Sequence, residues 1–283
     1  MQRTKCPACG SRQEMILVWM IPFAKIPPIV VGPGTVSDFP MCQTDIVSRW
    51  LHCDECETVY LDKVADDQSH GASGANHYIE KMLNQSQWAG YRARWEWFKE
   101  FIPDNAGTFV DAAGAIGQYL TVAKDRGTVQ TDGFREGQMI FHRSDGTMAA
   151  QKKFDRLIGI DFCEPYVDHM LDLGFEGHHI DLAEDINLAD AVDCQDADFV
   201  VFSEAFEHMR YAGDTMARLM QLLRPGGRIF FSAQALGEGL PVRPAETIYI
   251  NEHGLMVMAC QIGMRILKTE MRSGRFFVAG EKT

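Results

Sequence analysis

From residue 108 onward, the chain alternates between short apolar runs and segments whose apolar residues recur at helical spacing. The apolar runs predict five strands, at residues 108–111, 157–161, 178–181, 199–203 and 228–233. Helices are predicted from Gly117, from Pro165, over 214–223 and over 252–262. Because strands that alternate with helices form a mostly parallel sheet covered on both faces, this part of the chain predicts a doubly wound α/β fold.

Two more apolar runs follow, at residues 265–271 and 275–279. Only Arg272, Ser273 and Gly274 join them, which is too short for a crossover connection. We therefore expect these two strands to pair antiparallel, which completes a seven-stranded, mostly parallel, Rossmann-like sheet.

Residues 123–153 are an additional segment between the first helix and the second strand. Within it, runs at 137–142 and 147–151 flank Ser144-Asp145-Gly146, and Asp-Gly is a favoured hairpin turn. The segment predicts an inserted hairpin with this turn. A substrate lid, an oligomer contact and a surface loop remain open as its role.

The first sixty residues have a different character, since they contain six of the eleven prolines. Proline at this density favours short strands and turns over long helices. So small a segment usually needs a covalent or metal constraint to fold. We therefore expect a small N-terminal β domain over residues 1–65.

Two C-x-x-C pairs lie in this part of the chain, formed by Cys6 with Cys9 and by Cys53 with Cys56. Each pair places two thiolates on one side of a metal, and two pairs complete a tetrahedral shell. The pattern is typical of a zinc ribbon and predicts a structural Zn²⁺. Disulfides and free thiols are the alternatives.

A polar, glycine-containing stretch at residues 66–76 predicts a linker. After it, aromatic and apolar residues recur every three or four positions, at Trp88, Tyr91, Trp95, Phe98 and Ile102. This spacing predicts one face of an amphipathic helix that ends before Pro103. The chain then divides into a zinc-ribbon-like domain at 1–65, a linker and helix at 66–103, and a main domain at 104–283.

Composition narrows the range of partners. The net charge of −12 disfavours nucleic acid, because nonspecific affinity for phosphates comes mostly from lysine and arginine. The chain has no run of 18 or more apolar residues, and its polar start does not resemble a secretory signal. We expect a cytoplasmic protein without a membrane span, and the oligomeric state stays open.

The ends of the first two strands of the main domain carry the chemistry that a nucleoside cofactor needs. Asp111 is followed by a turn of small residues up to Gly117, and the second strand ends at Asp161. A small-residue turn lets backbone approach the ligand, and an acid after the second strand can accept both ribose hydroxyl hydrogens. A nicotinamide dinucleotide fits less well, because the glycine spacing and the fifty residues between the two acids differ from its fingerprint.

Five stretches, taken in order, resemble the class I S-adenosylmethionine-dependent methyltransferases, especially the small-molecule group that includes the ubiquinone-biosynthesis O-methyltransferases. They begin at Val110, Ile158, Ile180, Ser203 and Leu222, and the last contains Leu222-Leu-Arg-Pro-Gly-Gly-Arg228. The resemblance implies that S-adenosylmethionine lies against residues of the first four stretches: Asp111, Ala113, Gly114, Gly117, Asp161, Phe162, Asp181, Leu182 and Ser203. Among these, Asp161 would hold the ribose hydroxyls, and Asp181 with Leu182 would contact the adenine.

The turn departs from the family pattern at two positions. Ala113 and Ala115 stand where the family usually has glycine. Because a left-handed backbone is unfavourable for alanine, either these residues adopt negative φ or the affinity for the cofactor is reduced.

The stretch after the fourth strand, Ser203-Glu-Ala-Phe-Glu-His208, supplies the candidates for catalysis. His208 is the candidate general base, since an imidazole titrates near neutral pH, and Glu204 is the second catalytic candidate. A role for His208 in capping or packing the next helix is the alternative. The spacing of Glu204, Glu207 and His208 also resembles that of relatives that hold Mg²⁺ or a similar divalent metal.

The combined pattern predicts a methyltransferase that acts on a small-molecule or sugar acceptor, most simply at a hydroxyl, with the zinc-binding part shaping the acceptor side. Two alternatives remain. One is an RNA 2′-O-methyltransferase that uses the divalent metal, and the other is a non-catalytic cofactor-binding scaffold. The identity of the acceptor cannot be inferred from the sequence.

Overall fold

The computed structural model describes residues 5–12, 16–22, 47–61, 85–103, 106–124, 129–135, 138–143, 154–235 and 248–283. Over these residues the chain forms a central α/β unit, a smaller sheet beside it and a separate hairpin. No helix in these ranges is both long and apolar enough to cross a membrane.

The central sheet has seven strands in the order β12-β13-β10-β9-β4-β7-β8. Their bounds are β4 Thr108–Ala112, β7 Arg156–Asp161, β8 Glu176–His179, β9 Ala197–Phe202, β10 Leu223–Gln234, β12 Met264–Arg272 and β13 Arg275–Lys282. The five strands from β10 to β8 pair parallel, whereas β13 pairs antiparallel with both β10 and β12. The predicted doubly wound, mostly parallel sheet and its antiparallel last pair are confirmed.

Six α-helices flank the strands in the described part of the chain. They are α1 Gln85–Phe98, α2 Gln118–Lys124, α3 Glu164–Asp172, α4 Leu188–Val192, α5 Ala212–Leu222 and α6 Glu252–Gln261. Short 3₁₀ turns follow α1 at Lys99–Phe101 and precede α5 at Phe206–His208. The helix α4 was not predicted, since five residues carry too little periodicity to be recognised.

The third strand of the main domain lies two residues earlier than predicted, at Glu176–His179. Asp181 ends the extended run, because its carboxylate accepts a hydrogen bond from Ala183 N at 2.8 Å and its carbonyl accepts one from Glu184 N. An aspartate that bonds its own backbone two residues on favours a turn over a strand.

The strand order reverses next to β4. The chain passes from β4 to β7 and β8 on one side, then returns to β9 and β10 on the other. All five residues of β4 are buried, as expected for the central strand of a parallel sheet. In open α/β sheets the ligand crevice lies at the carboxyl ends of the strands, at such a reversal. The topology therefore places the crevice at the ends of β4, β7 and β9.

The inserted hairpin exists, but its strands differ from the prediction. β5 Val129–Arg135 pairs antiparallel with β6 Gln138–Arg143. The run predicted at 137–142 therefore pairs with the residues before it, and the predicted turn at Asp145-Gly146 lies outside the described residues. The predicted partner run at 147–151 lies outside the described residues.

The N-terminal strands share a sheet with the C-terminal part of the chain. β1 Ile16–Pro22, β2 Val47–His52 and β3 Val59–Leu61 pair antiparallel, and β11 Ile248–Tyr249 adds a fourth strand beside β3. Buried residues near the cysteines, such as Ala8 and Leu51, belong to the same hydrophobic core as Val110 and Phe231 of the central unit.

The other face of the central sheet packs against α1. The rings of Phe98 and Phe230 stack at 4.6 Å between centroids, and Trp95 contacts Phe98 edge to face. The predicted aromatic face of α1 is confirmed for these residues, which are buried. Trp88, also predicted for this face, has a side chain outside the described set.

Candidate active site and four-cysteine centre

The turn after β4 has the backbone of a glycine-rich loop although it contains two alanines. Ala113 and Ala115 have φ values of 56° and 47°, and Gly117 has 74°. The first alternative from the sequence, negative φ at the alanines, is therefore wrong. Between them, Gly114 has no room for a side chain, since a Cβ would lie 2.9 Å from Asp111 Cγ. Left-handed alanine costs about 1–2 kcal/mol, and such strain tends to persist at functional sites.

Asp161, at the end of β7, is bonded directly to this turn. Its Oδ2 accepts a hydrogen bond from Ala115 N and its Oδ1 accepts one from Cys163 N, both at 2.9 Å. The side chain is only 4% exposed, and burial raises its pKa to about 6. Each carboxylate oxygen retains a further lone pair that can accept a hydrogen bond. The acid of the second strand is thus oriented where a ribose is expected.

Two buried polar side chains of the same turn carry atoms that have no hydrogen-bond partner within the described structure. They are Asp111, whose Oδ2 accepts no hydrogen bond, and Gln118, whose amide oxygen and nitrogen are both unpaired. Burial, and next the charge of Asp161, raise the pKa of Asp111 well above its usual value. Since an unsatisfied buried polar group costs about 1–3 kcal/mol, these atoms point to a polar ligand or water in the site.

Phe162, Asp181 and Leu182 follow β7 and β8 at the same edge of the sheet. Phe162 is 37% exposed, which is unusual for so large an apolar side chain, whereas Leu182 is buried. The carbonyl of Asp161 accepts a hydrogen bond from Ile180 N, so the two strand ends are held together. The structure brings these predicted residues to one side of the crevice.

Arg94 of α1 is a further candidate site residue, which the sequence analysis missed. Its Nε donates to Tyr119 Oη and its Nη1 donates to Glu204 Oε1, both at 2.7 Å. Its guanidinium also lies 4.9 Å from the centroid of the Tyr91 ring. The sequence did contain an indication of this role. An arginine lies within the aromatic face of the predicted helix, and a charge at a buried position needs a partner.

A ring of hydrogen bonds connects Arg94 to the strand ends. Tyr119 Oη donates to Ser203 Oγ at 3.3 Å, and Ser203 Oγ lies 3.4 Å from Ser232 Oγ. Ser232 Oγ in turn accepts from Glu204 N, which closes the ring through the Glu204 carboxylate. Burial raises the pKa of Tyr119 to about 12, so its hydroxyl stays protonated as a donor. Glu204 is held in this ring with a left-handed φ of 57°.

The segment from Glu204 to His208 does not form the predicted divalent metal site. Glu204 forms an ion pair with Arg94, and the fully buried Glu207 forms one with Arg275 of β13. Within the described residues, only the cysteine group places three or more ligand atoms close enough for one ion. The spacing along the chain was suitable, but the tertiary structure pairs each carboxylate with an arginine. His208 lies half-buried in the 3₁₀ turn beyond β9.

The four cysteines of the two C-x-x-C pairs come together, with all their sulfur atoms within 4.8 Å of one another. Cys6 and Cys56 have their Sγ atoms 3.7 Å apart, and so do Cys9 and Cys53. Tetrahedral Zn–S bonds of 2.3 Å would separate the sulfurs by about 3.8 Å. A disulfide needs about 2.05 Å, and all four cysteines are free, so the geometry fits a metal and not disulfides. Hydrogen bonds from Cys6 and then Cys9 lower the pKa of Cys56, whereas the hydrogen bonds to Cys56 raise the pKa values of Cys6 and Cys9.

Comparison with known proteins agrees with this fold. Residues 144–231 match the family model described as a methyltransferase domain. An O-methyltransferase family protein from Burkholderia thailandensis has a similar structure, with a TM-score of 0.52 and 14% identity over 76% of this chain and 61% of that one. A chain from the complex between the Haloferax volcanii Trm112 methyltransferase activator and the putative methyltransferase reaches 0.53, with 13% identity over 77% and 99%. No curated protein sequence matches the chain.

The fold and the family match together define the class of this protein. It contains a methyltransferase domain, matched over residues 144–231, within a doubly wound α/β fold. The structure shows a sheet order whose reversal beside β4 places the crevice at the ends of β4, β7 and β9.

Proposed function

We propose that this enzyme transfers a methyl group from S-adenosylmethionine to a hydroxyl of a small molecule or sugar. The proposal is supported above all by the hydrogen bond from Ala115 N, in the turn after β4, to Asp161 Oδ2. This bond orients a buried carboxylate beside the crevice, where the two ribose hydroxyls can donate to it. The three-part division of the chain at about residues 65 and 103 is part of the same proposal.

The cofactor lies along the ends of β4 and β7 in this proposal. Asp161 binds the ribose, and Phe162, Asp181 and Leu182 border the adenine. The unpaired atoms of Asp111 and Gln118 face the methionine region of the turn. Arg94 suits the methionine carboxylate, because a guanidinium binds carboxylates strongly and already holds that of Glu204 at this edge.

The acceptor then approaches from the ends of β9 and β10. S-adenosylmethionine, held by Asp161 and its neighbours, would supply a methyl group whose bond to the sulfonium sulfur breaks as the acceptor oxygen bonds to the methyl carbon, so that S-adenosylhomocysteine leaves. The residues of the chain align the acceptor and exclude water, and His208 takes the hydroxyl proton as the acceptor oxygen forms its bond to carbon. Ser203 and Glu204, held in the hydrogen-bonded ring, border this position.

The four cysteines hold a structural Zn²⁺ in this proposal. Four thiolates leave no open position on the metal, so the ion takes no part in the chemistry. The RNA 2′-O-methyltransferase alternative has lost its main support, because Glu204 and Glu207 pair with arginines. A non-catalytic scaffold is an outcome of the experiment below.

Titration calorimetry with S-adenosylmethionine and S-adenosylhomocysteine tests the cofactor site. We expect the Asp161→Ala variant to bind both at least about tenfold more weakly, because two charge-assisted hydrogen bonds are lost. Asp172→Ala, at the opposite end of α3, is the matched control and should bind normally. Unchanged affinity in Asp161→Ala would remove the ribose assignment.

Release of S-adenosylhomocysteine in the presence of hydroxyl-bearing small molecules and sugars tests the reaction. We expect His208→Ala to lower kcat by about a hundredfold or more, in the range usual for a general base, without weakening cofactor binding. His169→Ala, in the last turn of α3, is the control for loss of an imidazole. Cofactor binding without turnover on any acceptor would favour the scaffold instead.

A further inference from the structure

The two cysteine pairs lie against the starts of two helices of the methyltransferase unit. α5 begins after β9, and α6 begins after β10 and β11. Because α5 follows β9 of the parallel sheet, it begins at the carboxyl edge, which is the edge of the crevice. The segment just before α6 is placed near this edge by the hydrogen bond from Ile250 N to the carbonyl of Gln234 at the end of β10. The four-cysteine centre therefore adjoins the β9 and β10 side of that edge, away from Asp161 and Phe162 at the end of β7.

The first pair is joined to the start of α5. Gly213 N donates to the carbonyl of Pro7 at 2.8 Å, and Lys5 Nζ forms an ion pair with Asp214 Oδ2 at 2.7 Å. The contact is so close that a Cβ at Gly213 would lie 2.1 Å from the carbonyl oxygen of Ala8. Only glycine allows the loop between Cys6 and Cys9 to sit there.

The second pair is joined to the start of α6 in a similar way. A Cβ at Gly254 would lie 2.7 Å from the carbonyl oxygen of Cys56. Asn251 Nδ2 donates to Glu57 Oε2 at 2.8 Å, and His253 Nε2 lies 3.1 Å from the carbonyl oxygen of Glu55. Both loops between paired cysteines thus rest on a helix start through a glycine.

A strand links the two contacts to the end of β10. β11 pairs with β3, which follows the second cysteine pair. Directly after β11, Ile250 N donates to the carbonyl of Gln234 at the end of β10. The N-terminal part is therefore connected to the crevice wall at three places: α5, α6 and β11.

We propose that the four-cysteine centre sets the positions of the starts of α5 and α6, so that metal binding and the formation of this wall of the crevice are coupled. A metal joins the two cysteine loops, and each loop is in contact with one helix start. The description of this wall as the acceptor side rests on the proposed function, but the coupling does not. Coupling of this kind is reciprocal, so disturbing a helix contact must weaken metal binding.

Hydrogen exchange tests the coupling directly. We expect removal of zinc by a chelator from the full chain to speed exchange at least tenfold at residues 212–216 and 248–255. Exchange at β7 and α3, which contact neither cysteine pair, should change by less than twofold. Equal exchange at the two helix starts with and without zinc would overturn the proposal.

Glycine variants test the reciprocal direction and keep all four thiols. Gly213→Ala and Gly254→Ala should each bind zinc at least tenfold more weakly, measured by competition with a chromogenic chelator. Gly90→Ala is the matched control, since a Cβ at this helix position makes ordinary contacts, the nearest at 3.6 Å, and contacts no cysteine loop. It should bind zinc normally.

The outcomes separate the two proposals. Wild-type affinity in both Gly213→Ala and Gly254→Ala would overturn the coupling while leaving the zinc site intact. Absence of zinc binding by the wild-type chain would instead overturn the metal assignment. If chelation unfolds the whole chain, the zinc affinities of the glycine variants decide between coupling and its absence.

Discussion

At the scale of single residues, the cofactor turn retains a glycine-like backbone that its own sequence disfavours. Ala113 and Ala115 have positive φ, while Gly114 is excluded from bearing a side chain by Asp111. Hydrogen bonds to Asp161 and the buried packing of the turn outweigh the local preference of alanine. The methyltransferases that the sequence resembles usually have glycine at these positions, and glycine adopts this conformation readily. The sequence alone did not decide whether alanine would adopt it.

Replacing the alanines should relieve the strain. We expect Ala113→Gly and Ala115→Gly each to raise the free energy of unfolding by up to about 1 kcal/mol, since glycine adopts positive φ without steric cost. Urea unfolding measures the change. Ala123→Gly, in the helix α2, is the control and should lose about 1 kcal/mol or more. Destabilisation of both turn variants would contradict the strained backbone.

The raised pKa of Asp161 predicts that this residue lowers the free energy of unfolding as the pH rises. Burial raises this pKa from 3.8 to about 6, so the folded protein binds a proton more tightly than the unfolded chain does. The contribution of Asp161 to stability is therefore present below pH 3.8 and is lost as the pH rises through 6, by about 3 kcal/mol in total.

Asp161→Asn should reveal this cost, because an amide does not titrate. Relative to the wild type, the variant should gain up to about 3 kcal/mol of unfolding free energy between pH 4 and pH 7. Comparing the two proteins cancels the other titrating groups. A difference that stays constant over this range would show that the carboxylate is not destabilised by burial.

At the scale of elements, the final hairpin reaches the candidate catalytic turn. Arg275 starts β13, and its ion pair with the fully buried Glu207 fastens the 3₁₀ turn that carries His208. The antiparallel pairing of β12 and β13 followed from the short connection between them. The contact between β13 and Glu207 could not be predicted from the sequence, because 68 residues separate the partners and no local pattern relates them.

A double-mutant cycle tests this tie between elements. Arg275→Met leaves a buried carboxylate without its cation and should cost about 3–5 kcal/mol of unfolding free energy. Adding Glu207→Gln should recover most of the loss, because the uncompensated charge is removed. Independent effects of the two changes would show that the pair does not act as a unit.

At the scale of the whole molecule, the four-cysteine centre joins segments that lie far apart along the chain. Residues near 6, 53, 213 and 254 meet around it, and the surrounding core is continuous with that of the central sheet. The described N-terminal residues thus pack against the central unit.

Elemental analysis of the purified protein should find about one zinc per chain, because the sulfur separations match a tetrahedral Zn–S site. Cys6→Ser combined with Cys9→Ser should abolish it. Cys260→Ser, an exposed cysteine outside the group, is the control and should retain the metal. Full zinc content in the double variant would rule out this centre.

The sequence by itself determined the class of fold and much of the cofactor side. Periodicity is a local property, so the strands of the central sheet, most helices and the antiparallel last pair were predictable from it. Residues such as Asp111 and Asp161 follow directly from strand ends, and the cysteine spacing already predicted a metal centre. These features depend on neighbours within a few positions along the chain.

Only the tertiary structure decided what distant residues do to one another. It placed Arg94 in the crevice, paired Glu204 and Glu207 with arginines, kept Ala113 and Ala115 left-handed, and set the cysteine loops on Gly213 and Gly254. The physical reason is that burial and charge pairing depend on contacts between segments far apart in the chain. Carboxylates whose spacing along the chain suits a metal site in one fold are paired with arginines in another.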